Sequence, residues 1–450
     1  MAPVRPPMTS AYEIGDADEL LPASGYRTYE VFQRERVGET TNLLSPRELI
    51  GDDMLTDPHR LLSILREQYP CYRDWKGNRF WITRYDDVTS IFVDDANFET
   101  RSKRWRFGDE SLGRSLWGHV PVLTARATRI DGALTGIVEG AIADLTGAGA
   151  GAGADLTGAG ADLSAEFAAR IPLELWGAVL DLPADDLPLF AQRYWRMQRG
   201  AGWDMTDRLD GLAAFAELEA DIAPLLQRRR ADPADDLISA IAQLDLDDAP
   251  ATAADVVATV LEADHETLHG GLANLWCNLL TQPDQFDVVR SDRRQMKFAW
   301  LETLRHSPPV HAVQRFARHE VERFGRLLPD GAMLELSAAA ANRDPRAFDN
   351  PNEFVVGRQD LCQREPRGQY RADGLPSGIA FGMGKPSVHP AVPKERPRSI
   401  YAITSDVAVT ASTMLLDAFP DMRLTDDAEP TISSLHLGEM HTCWHLPVAI

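Results

Sequence analysis

The sequence predicts a mainly α-helical protein with small β-sheets. The longest helical pattern covers 252–283, where Thr252 and Asp255 predict a capping box at the start, apolar residues recur at helical spacing and Pro283 lies just past the end. A second helix is predicted over 58–75, ending near Pro70. The run 78–101 begins with the aromatic and β-branched residues of a strand and continues as a helix. These patterns favour a helical body that carries small sheets.

Composition and charge narrow the function classes. The chain has 450 residues, 44% of them hydrophobic and 25% charged, which is typical of a globular protein with a large core. Its formal net charge is −22. Because phosphate contacts need clustered Lys and Arg, this charge predicts no nucleic-acid partner and no anionic membrane partner.

The cysteines and the hydropathy pattern predict a cytoplasmic protein. Cys71, Cys277, Cys362 and Cys443 are far apart and form no C-x-x-C pair, which argues against zinc and iron–sulfur sites. The start lacks the apolar segment of a signal peptide, and no run of about 18 apolar residues predicts a membrane span.

The chain divides into an extension and one domain. Residues 1–50 are predicted to be an N-terminal extension, either a packing arm or a surface that docks a partner, followed by a domain over 51–450. The unit ADLTGAG occurs at 143–149 and again at 154–160. Because glycine is costly in a helix, we expect a flexible Gly/Ala insertion at 146–161.

Four stretches in order carry a resemblance to a known family. Glu302 and Arg305 have E-x-x-R spacing, which places a carboxylate and a guanidinium one helical turn apart. The others are A-N-R-D-P at Ala341–Pro345, the tail 442–450, and the helix–strand–helix order of 57–70 and 81–88. Together they resemble the cytochrome P450 superfamily, specifically its soluble bacterial members, from about residue 55 onward. The resemblance implies the P450 fold.

The stretch that resembles the family's haem loop departs from the pattern F-G-x-G-x-H-x-C-x-G. The residues that stand at the pattern's positions are Phe381, Gly382, Gly384, Pro386, Val388 and Pro390. The two glycines and the phenylalanine match. Val388 stands at the position of the iron-ligating cysteine and has no lone pair to donate. The resemblance therefore implies that the haem-ligand cysteine is absent.

Other family positions are retained in part. The oxygen-site signature A-G-x-[DE]-T corresponds to Asp264, Glu266 and Thr267, with the glycine replaced by the aspartate. The early H-x-x-x-R run, which the family uses for a haem propionate, has no match in 113–130. Arg315 aligns with a basic residue that often meets a propionate in the family.

Glu353 stands at a further family position, P-x-[RHN]-F, which is often basic. This acidic replacement predicts a weakened network around Glu302 and Arg305.

Histidines suggest two alternative interpretations, one with a haem and one with another metal ion. His389, one residue beyond the cysteine position, is a candidate replacement ligand because imidazole binds haem iron. His265 and His269 have the i, i+4 spacing of metal ligands, but without a third ligand at a defined position the spacing favours two ordinary polar helix residues. A near-match to a phosphate loop at 382–387 lacks its first glycine and its Ser or Thr.

The pattern is similar to a group of cysteine-less P450 homologues that serve as auxiliary proteins of antibiotic glycosyltransferases. The resemblance implies a chain that is not an enzyme, has no haem, and binds, stabilises and activates a deoxysugar glycosyltransferase of polyketide antibiotic biosynthesis as a hetero-oligomer. Two alternatives stay open. One is a P450-type oxidoreductase with a replaced haem ligand, and the other is a small-molecule binding protein that uses the vacated haem pocket.

Overall fold

The computed structural model of the chain describes most residues beyond position 56. The described ranges are 57–74, 78–108, 112–151, 161–201, 205–246, 249–263, 265–363, 375–380, 398–426, 429–435 and 440–450. The predicted extension at 1–50 lies outside them. In the described part the chain is mainly helical with small sheets, as the sequence predicts.

The helices are distributed along the whole described chain. They are α1 (His59–Gln68), α2 (Tyr85–Phe92), α3 (Lys103–Phe107), α4 (Val120–Gly151), α5 (Arg170–Leu180), α6 (Leu187–Gly200), α7 (Met205–Ala231), α8 (Leu237–Ala242), α9 (Ala253–Leu261), α10 (His265–Thr281), α11 (Pro283–Ser291), α12 (Met296–His306), α13 (Ala338–Ala341) and α14 (Ile400–Ala418). A π-helical turn covers Ser164–Ala168, and 3-10 turns cover Ala184–Asp186 and Arg293–Gln295.

The strands form small sheets at the edge of the helical body. They are β1 (Cys71–Asp74), β2 (Arg79–Ile82), β3 (Phe98–Glu99), β4 (Ala161–Asp162), β5 (Ala312–Ala317), β6 (Val321–Arg323), β7 (Arg326–Leu328), β8 (Met333–Ser337), β9 (Arg423–Leu424), β10 (Thr431–Leu435), β11 (Met440–His445) and β12 (Pro447–Ala449). One sheet has the order β1-β2-β8-β5-β3, with β2 and β8 parallel and its other pairs antiparallel. The smaller sheets are β4-β12-β9, β10-β11 and β6-β7.

Side-chain caps start several helices where the sequence places Ser, Thr or Asp. Ser102 accepts the backbone N–H of Trp105 at the start of α3, and Asp236 accepts the N–H of Ser239 at the start of α8. The predicted capping box of Thr252 and Asp255 at the start of α9 is confirmed. Each cap satisfies an amide that the first helical turn leaves without a partner.

The predicted Gly/Ala insertion is partly helical. Helix α4 continues to Gly151, six residues into the stretch expected to be a flexible loop. Its preceding turns bury Val138, Ala141 and Leu145 in the core, and a helix anchored in this way extends at a lower cost per residue than a new helix would. Residues 152–160 lie outside the described part of the chain.

Two hydrophobic cores hold the elements together. The larger one surrounds α10, where the rings of Trp276 and Trp300 are fully buried. At Gly271 a Cβ atom would lie 2.5 Å from the Trp300 ring, so the close approach of α10 and α12 requires glycine. The second core lies against the five-stranded sheet. Within the described residues, no helix combines the length and hydropathy needed to cross a bilayer.

A buried ion pair joins α12 to the loop that follows α13. Arg305 donates from Nη2 to Glu302 Oε1 at 2.6 Å and from Nε to Oε2 at 2.8 Å, and both side chains are fully buried. Arg305 also donates to the backbone carbonyl oxygens of Asn342, Pro351 and Glu353 at 3.0, 2.7 and 2.8 Å. The predicted pair is confirmed, and it fixes the course of this loop.

The expected weakening at Glu353 does not occur as predicted. Its side chain is exposed, and only its backbone oxygen serves the network. A second guanidinium comes instead from Arg358, whose Nη1 donates to Glu302 Oε1 at 3.3 Å. The Glu302 carboxylate therefore meets two arginines, because the loop folds back and brings position 358 to α12.

Three histidines tie α1 to the β10–β11 hairpin. The ring centroids of His59 and His311 are 5.8 Å apart, and those of His311 and His441 are stacked at 4.3 Å. Ser434 Oγ lies 2.8 Å from His441 Nδ1. Burial, followed by the nearby Arg343 guanidinium, lowers the pKa of His441 to about 4. Burial also holds the pKa values of His59 and His311 well below their usual range, so the cluster folds in its neutral form.

The first prediction concerns the buried ion pair. Arg305→Met leaves the Glu302 carboxylate buried with one weaker partner, so we expect the free energy of unfolding to fall by roughly 3–5 kcal/mol. Arg318→Met is the matched control, because Arg318 forms a largely exposed pair with Glu99 and should cost under about 1 kcal/mol. Denaturant unfolding of both variants measures the difference. Equal losses would contradict the structural role of the buried pair.

The second prediction concerns the loss of folding stability at acidic pH. A histidine whose pKa is lowered by folding is protonated first in the unfolded state, so stability is lost as pH falls below about 6.5 toward about 4. For His441 this loss is roughly 3 kcal/mol. We expect the drop in melting temperature between pH 7 and pH 4.5 to be smaller in His441→Gln, with the exposed His319→Gln as control. An unchanged drop in His441→Gln would contradict this role.

Candidate functional site

The central helical segment is broken in two, contrary to the single helix predicted over 252–283. Helix α9 ends at Leu261 and α10 begins at His265. Gln198 of α6 donates from Nε2 to the carbonyl oxygen of Leu261 at 3.0 Å. This bond uses an acceptor that a continuous helix would need for its own next turn. Asp264, the predicted replacement of the family glycine, lies in the break and outside the described residues.

Glu262 lies in the break, and its carboxylate contacts α3. Its Oε1 accepts the backbone N–H of Arg104 in α3 at 3.3 Å. Burial raises its pKa, and the positive charge of Lys103 opposes that change. Lys103 Nζ in turn donates to Gln198 Oε1 at 2.8 Å. The break is therefore clamped from α3 and α6, by contacts that sequence analysis did not anticipate.

Thr267 occupies the first turn of α10, directly after the break. Its side chain is 2% exposed. Of the two family residues Glu266 and Thr267, the structure describes only the side chain of Thr267. The backbone of Glu266 is helical, but its side chain lies outside what the structure describes. The hydroxyl of Thr267 is thus a buried donor and acceptor beside an interrupted helix.

Of the candidate histidine pair on α10, the structure describes the side chain of His269, whereas the side chain of His265 lies outside what it describes. His269 is 4% exposed and lies between the Trp195 and Trp444 rings, with centroid distances of 5.9 and 5.6 Å. Burial lowers its pKa to about 4. Among the residues described here, no group of three or more His, Cys, Asp or Glu side chains could hold a metal ion.

Arg315 lies on β5 with its charge turned into the protein. Its side chain is half-buried, and burial lowers its pKa to about 10. Within the described residues its guanidinium donates to the Gln314 carbonyl oxygen at 2.9 Å and lies 4.8 Å from the centre of the Phe92 ring. It has no carboxylate partner in that part of the chain. A partly buried guanidinium that has no carboxylate partner among the described residues is a candidate for contact with an anionic group.

A cavity next to α10 is too small for an organic ligand. It has a volume of about 20 Å³ and opens between Leu268 of α10 and Thr404 of α14. That volume suits one water molecule. The small-molecule binding alternative concerns a different place, the vacated haem pocket, whose loop lies outside the described residues.

The predicted haem-loop positions lie outside the described residues. They are Phe381, Gly382, Gly384, Pro386, Val388 and Pro390. The chain enters this loop through Ile379 and Ala380, which are fully buried. Asn342 fixes the entry, because its side chain accepts the Ile379 N–H at 2.7 Å and donates to the Ile379 carbonyl oxygen at 2.7 Å. The loop therefore starts from a rigid point next to the Glu302–Arg305 pair.

Sequence comparisons match the chain to cytochromes P450. The sequence model described as Cytochrome P450 matches residues 278–385, so the match ends at Lys385 and before Val388. The chain is 32% identical over 243 residues to 6-deoxyerythronolide B hydroxylase of Saccharopolyspora erythraea, covering 53% of each chain. It is 28% identical over 351 residues to cyclomarin C epoxidase CymV of Salinispora arenicola, covering 73% of this chain and 84% of the relative. The chain thus spans about half the length of that hydroxylase.

Solved structures show the same fold. The ligand-free structure of cytochrome P450 TbtJ1 superposes with a TM-score of 0.69 at 22% identity, covering 87% of this chain and 96% of the other. PksS, the cytochrome P450 of the bacillaene polyketide synthase of Bacillus subtilis 168, gives 0.69 at 20% identity, covering 90% and 99%. A third structure, from work on unusual cytochrome P450-like monooxygenases of microbial secondary metabolism, gives 0.70 at 22%, covering 88% and 98%.

Two predictions made from the sequence are wrong. The chain was expected not to be an enzyme, but its relatives are named as hydroxylases, epoxidases and synthases, which points to an enzyme. No haem was expected, but the matched family and structures are cytochromes P450, a haem-binding family. Both predictions gave one loop more weight than the scaffold around it. The chain has the cytochrome P450 fold, and part of its sequence is similar to cytochromes P450.

Proposed function

We propose that the chain is a P450-type oxidoreductase that holds a haem through a replaced iron ligand. The observation that carries the proposal is Arg315. A guanidinium held inside the protein with a lowered pKa and no carboxylate partner among the described residues fits a haem propionate. An ion pair with a propionate would remove the free-energy cost of burying this charge. The described residues therefore fit the group at this edge.

The replaced ligand is the finer part of the proposal. The sequence has no cysteine between Cys362 and Cys443, and the run 381–390 contains one imidazole, His389. Neutral imidazole is an established ligand of haem iron. We assign His389 as the donor from this loop.

A bound haem supplies one-electron and oxygen chemistry. The protein side chains supply position and protons. Arg315 would bind the propionate edge of the haem and fix its orientation. Thr267, buried at the first turn of α10, holds a proton at Oγ1 and exchanges hydrogen bonds next to the break. Gln198 keeps the break open by occupying the Leu261 carbonyl oxygen.

The substrate class we propose is a polyketide natural product. Support comes from the relatives, which include a 6-deoxyerythronolide B hydroxylase, a cyclomarin C epoxidase and the P450 of a bacillaene polyketide synthase. The fit of such a substrate would depend on α3 and α6, which contact the break in the central helical segment.

We also propose a partner protein, a deoxysugar glycosyltransferase that the chain binds, stabilises and activates. The sequence of the haem loop favours this, because Pro386, Val388 and Pro390 replace three positions that the P450 resemblance requires. A partner that binds only the active conformer of an enzyme shifts its population toward that conformer and protects it from unfolding. The extension at 1–50 is the proposed docking segment.

The third prediction tests the haem site. We expect haemin to give a Soret band at one equivalent, and Arg315→Met to weaken its binding by about tenfold or more, because a charge-assisted hydrogen bond is lost. Arg318→Met, on the exposed loop after β5, should bind haemin within about twofold of the natural chain. His389→Ala should change the spectrum of the bound haem. Equal haemin affinity in Arg315→Met and Arg318→Met would contradict the site.

The fourth prediction tests the partner. Co-expression with a deoxysugar glycosyltransferase of polyketide antibiotic biosynthesis from the same organism should give a complex on size exclusion, and removal of residues 1–50 should abolish it. The haemin titration of the truncated chain is the control for folding. A complex that survives the truncation would contradict the docking role of the extension.

A further inference from the structure

A run of positive charge lies at α3, beside the break in the central helical segment. Residues 101–106 contain four cations, Arg101, Lys103, Arg104 and Arg106, in a chain whose formal net charge is −22. Arg101 has a carboxylate of its own, because its Nε donates to Glu99 Oε1 at 2.9 Å. The charge at α3 is therefore opposite in sign to that of the chain as a whole, and it would attract an anion to this side of the break.

Contacts at both ends hold α3 against the break. Near its start, the backbone N–H of Arg104 donates to Glu262 Oε1 at 3.3 Å. At its end, the Phe107 ring packs between α6 and α7 where both helices have glycine. A Cβ atom at Gly200 or Gly211 would lie 2.8 or 2.9 Å from a carbon of this ring, so larger residues would displace it. The side chains of α3 therefore keep a fixed position beside the break.

The Arg104 guanidinium has a charge that no described residue compensates. Its side chain is half-buried, and its Nε is buried without a hydrogen-bond partner. Within the described part of the chain it forms no ion pair. The nearby Glu262 accepts from the Arg104 backbone rather than from its guanidinium, and burial raises the pKa of Glu262, which favours its uncharged form. A buried N–H without an acceptor costs free energy, and an anionic acceptor would remove that cost.

We propose that Arg104 selects a polyketide that carries a free carboxylate, by pairing with that carboxylate beside the break. The inference rests on the proposed function, in which a polyketide substrate contacts α3 and α6. Hydrogen bonds between a guanidinium and a carboxylate are roughly twice as strong as those between neutral groups. A neutral lactone with the same carbon skeleton would leave the guanidinium without a counter-charge, so the site discriminates against it.

The test compares two ligands that share one carbon skeleton. The probes are 6-deoxyerythronolide B and the hydroxy acid that forms when its lactone ring is hydrolysed. Their affinities for the full-length chain are measured by isothermal titration calorimetry, and the haem content of the same sample is determined by pyridine haemochromogen assay. We expect the acid to bind about tenfold or more tightly than the lactone, and this preference to shrink as the salt concentration rises.

Variants assign the preference to one side chain. Arg104→Met should weaken binding of the acid by about tenfold and leave binding of the lactone within about twofold, whereas a purely structural role would weaken both alike. Arg104→Lys keeps the charge and should retain part of the preference. Arg101→Met is the matched control, because Arg101 belongs to the same run and already pairs with Glu99, so this variant should keep the full preference.

Three outcomes would overturn the proposal. Equal affinity of the natural chain for acid and lactone would overturn it and leave the polyketide substrate class standing. A preference for the acid that persists in Arg104→Met would do the same. Failure of both probes to bind would overturn it together with the proposed substrate class, whatever the haem content of the sample. Because the preference and its salt dependence are measured on the natural chain, a folding defect in a variant does not remove the test.

Discussion

The Glu302–Arg305 pair is the constraint on which the remaining structure depends. It is fully buried, so each charge must be satisfied inside the protein. Three backbone carbonyl oxygens accept hydrogen bonds from Arg305, and the guanidinium of Arg358 donates to Glu302. All of these groups come from α13's C-terminal end and the loop after it. This loop packs against α12 because unsatisfied buried charges would cost several kcal/mol. The anchored loop then delivers Ile379, through Asn342, to the start of the stretch that follows.

A second set of contacts prepares the centre of the molecule. Gln198, Lys103 and Glu262 interrupt the long helical segment and connect its break to α3 and α6. Thr267 is buried directly beside the break, and Arg315 brings an uncompensated charge to the neighbouring sheet. Gln198, Lys103 and Glu262 are hydrogen-bonded to one another or to backbone groups. Arg315, by contrast, has no carboxylate partner among the described residues, and a propionate of the proposed haem would supply that counter-charge.

The sequence predicted the features that depend on local spacing. The E-x-x-R pair, the capping box at Thr252 and the helix over 58–70 follow from positions three or four residues apart, and all are confirmed. The missed features depend on residues that are far apart in the chain. One example is the break in the central helix, where Gln198 donates to the carbonyl oxygen of a residue 63 positions away. Periodicity carries no information about such contacts.

The central claim is that this P450 scaffold still holds a haem. The most direct measurement is the haem content per chain, by pyridine haemochromogen assay, of full-length protein purified from cells supplied with a haem precursor. The account predicts about one haem per chain, with an electron paramagnetic resonance spectrum typical of iron ligated by an imidazole nitrogen. A folded chain that contains no haem and does not take up added haemin would contradict it.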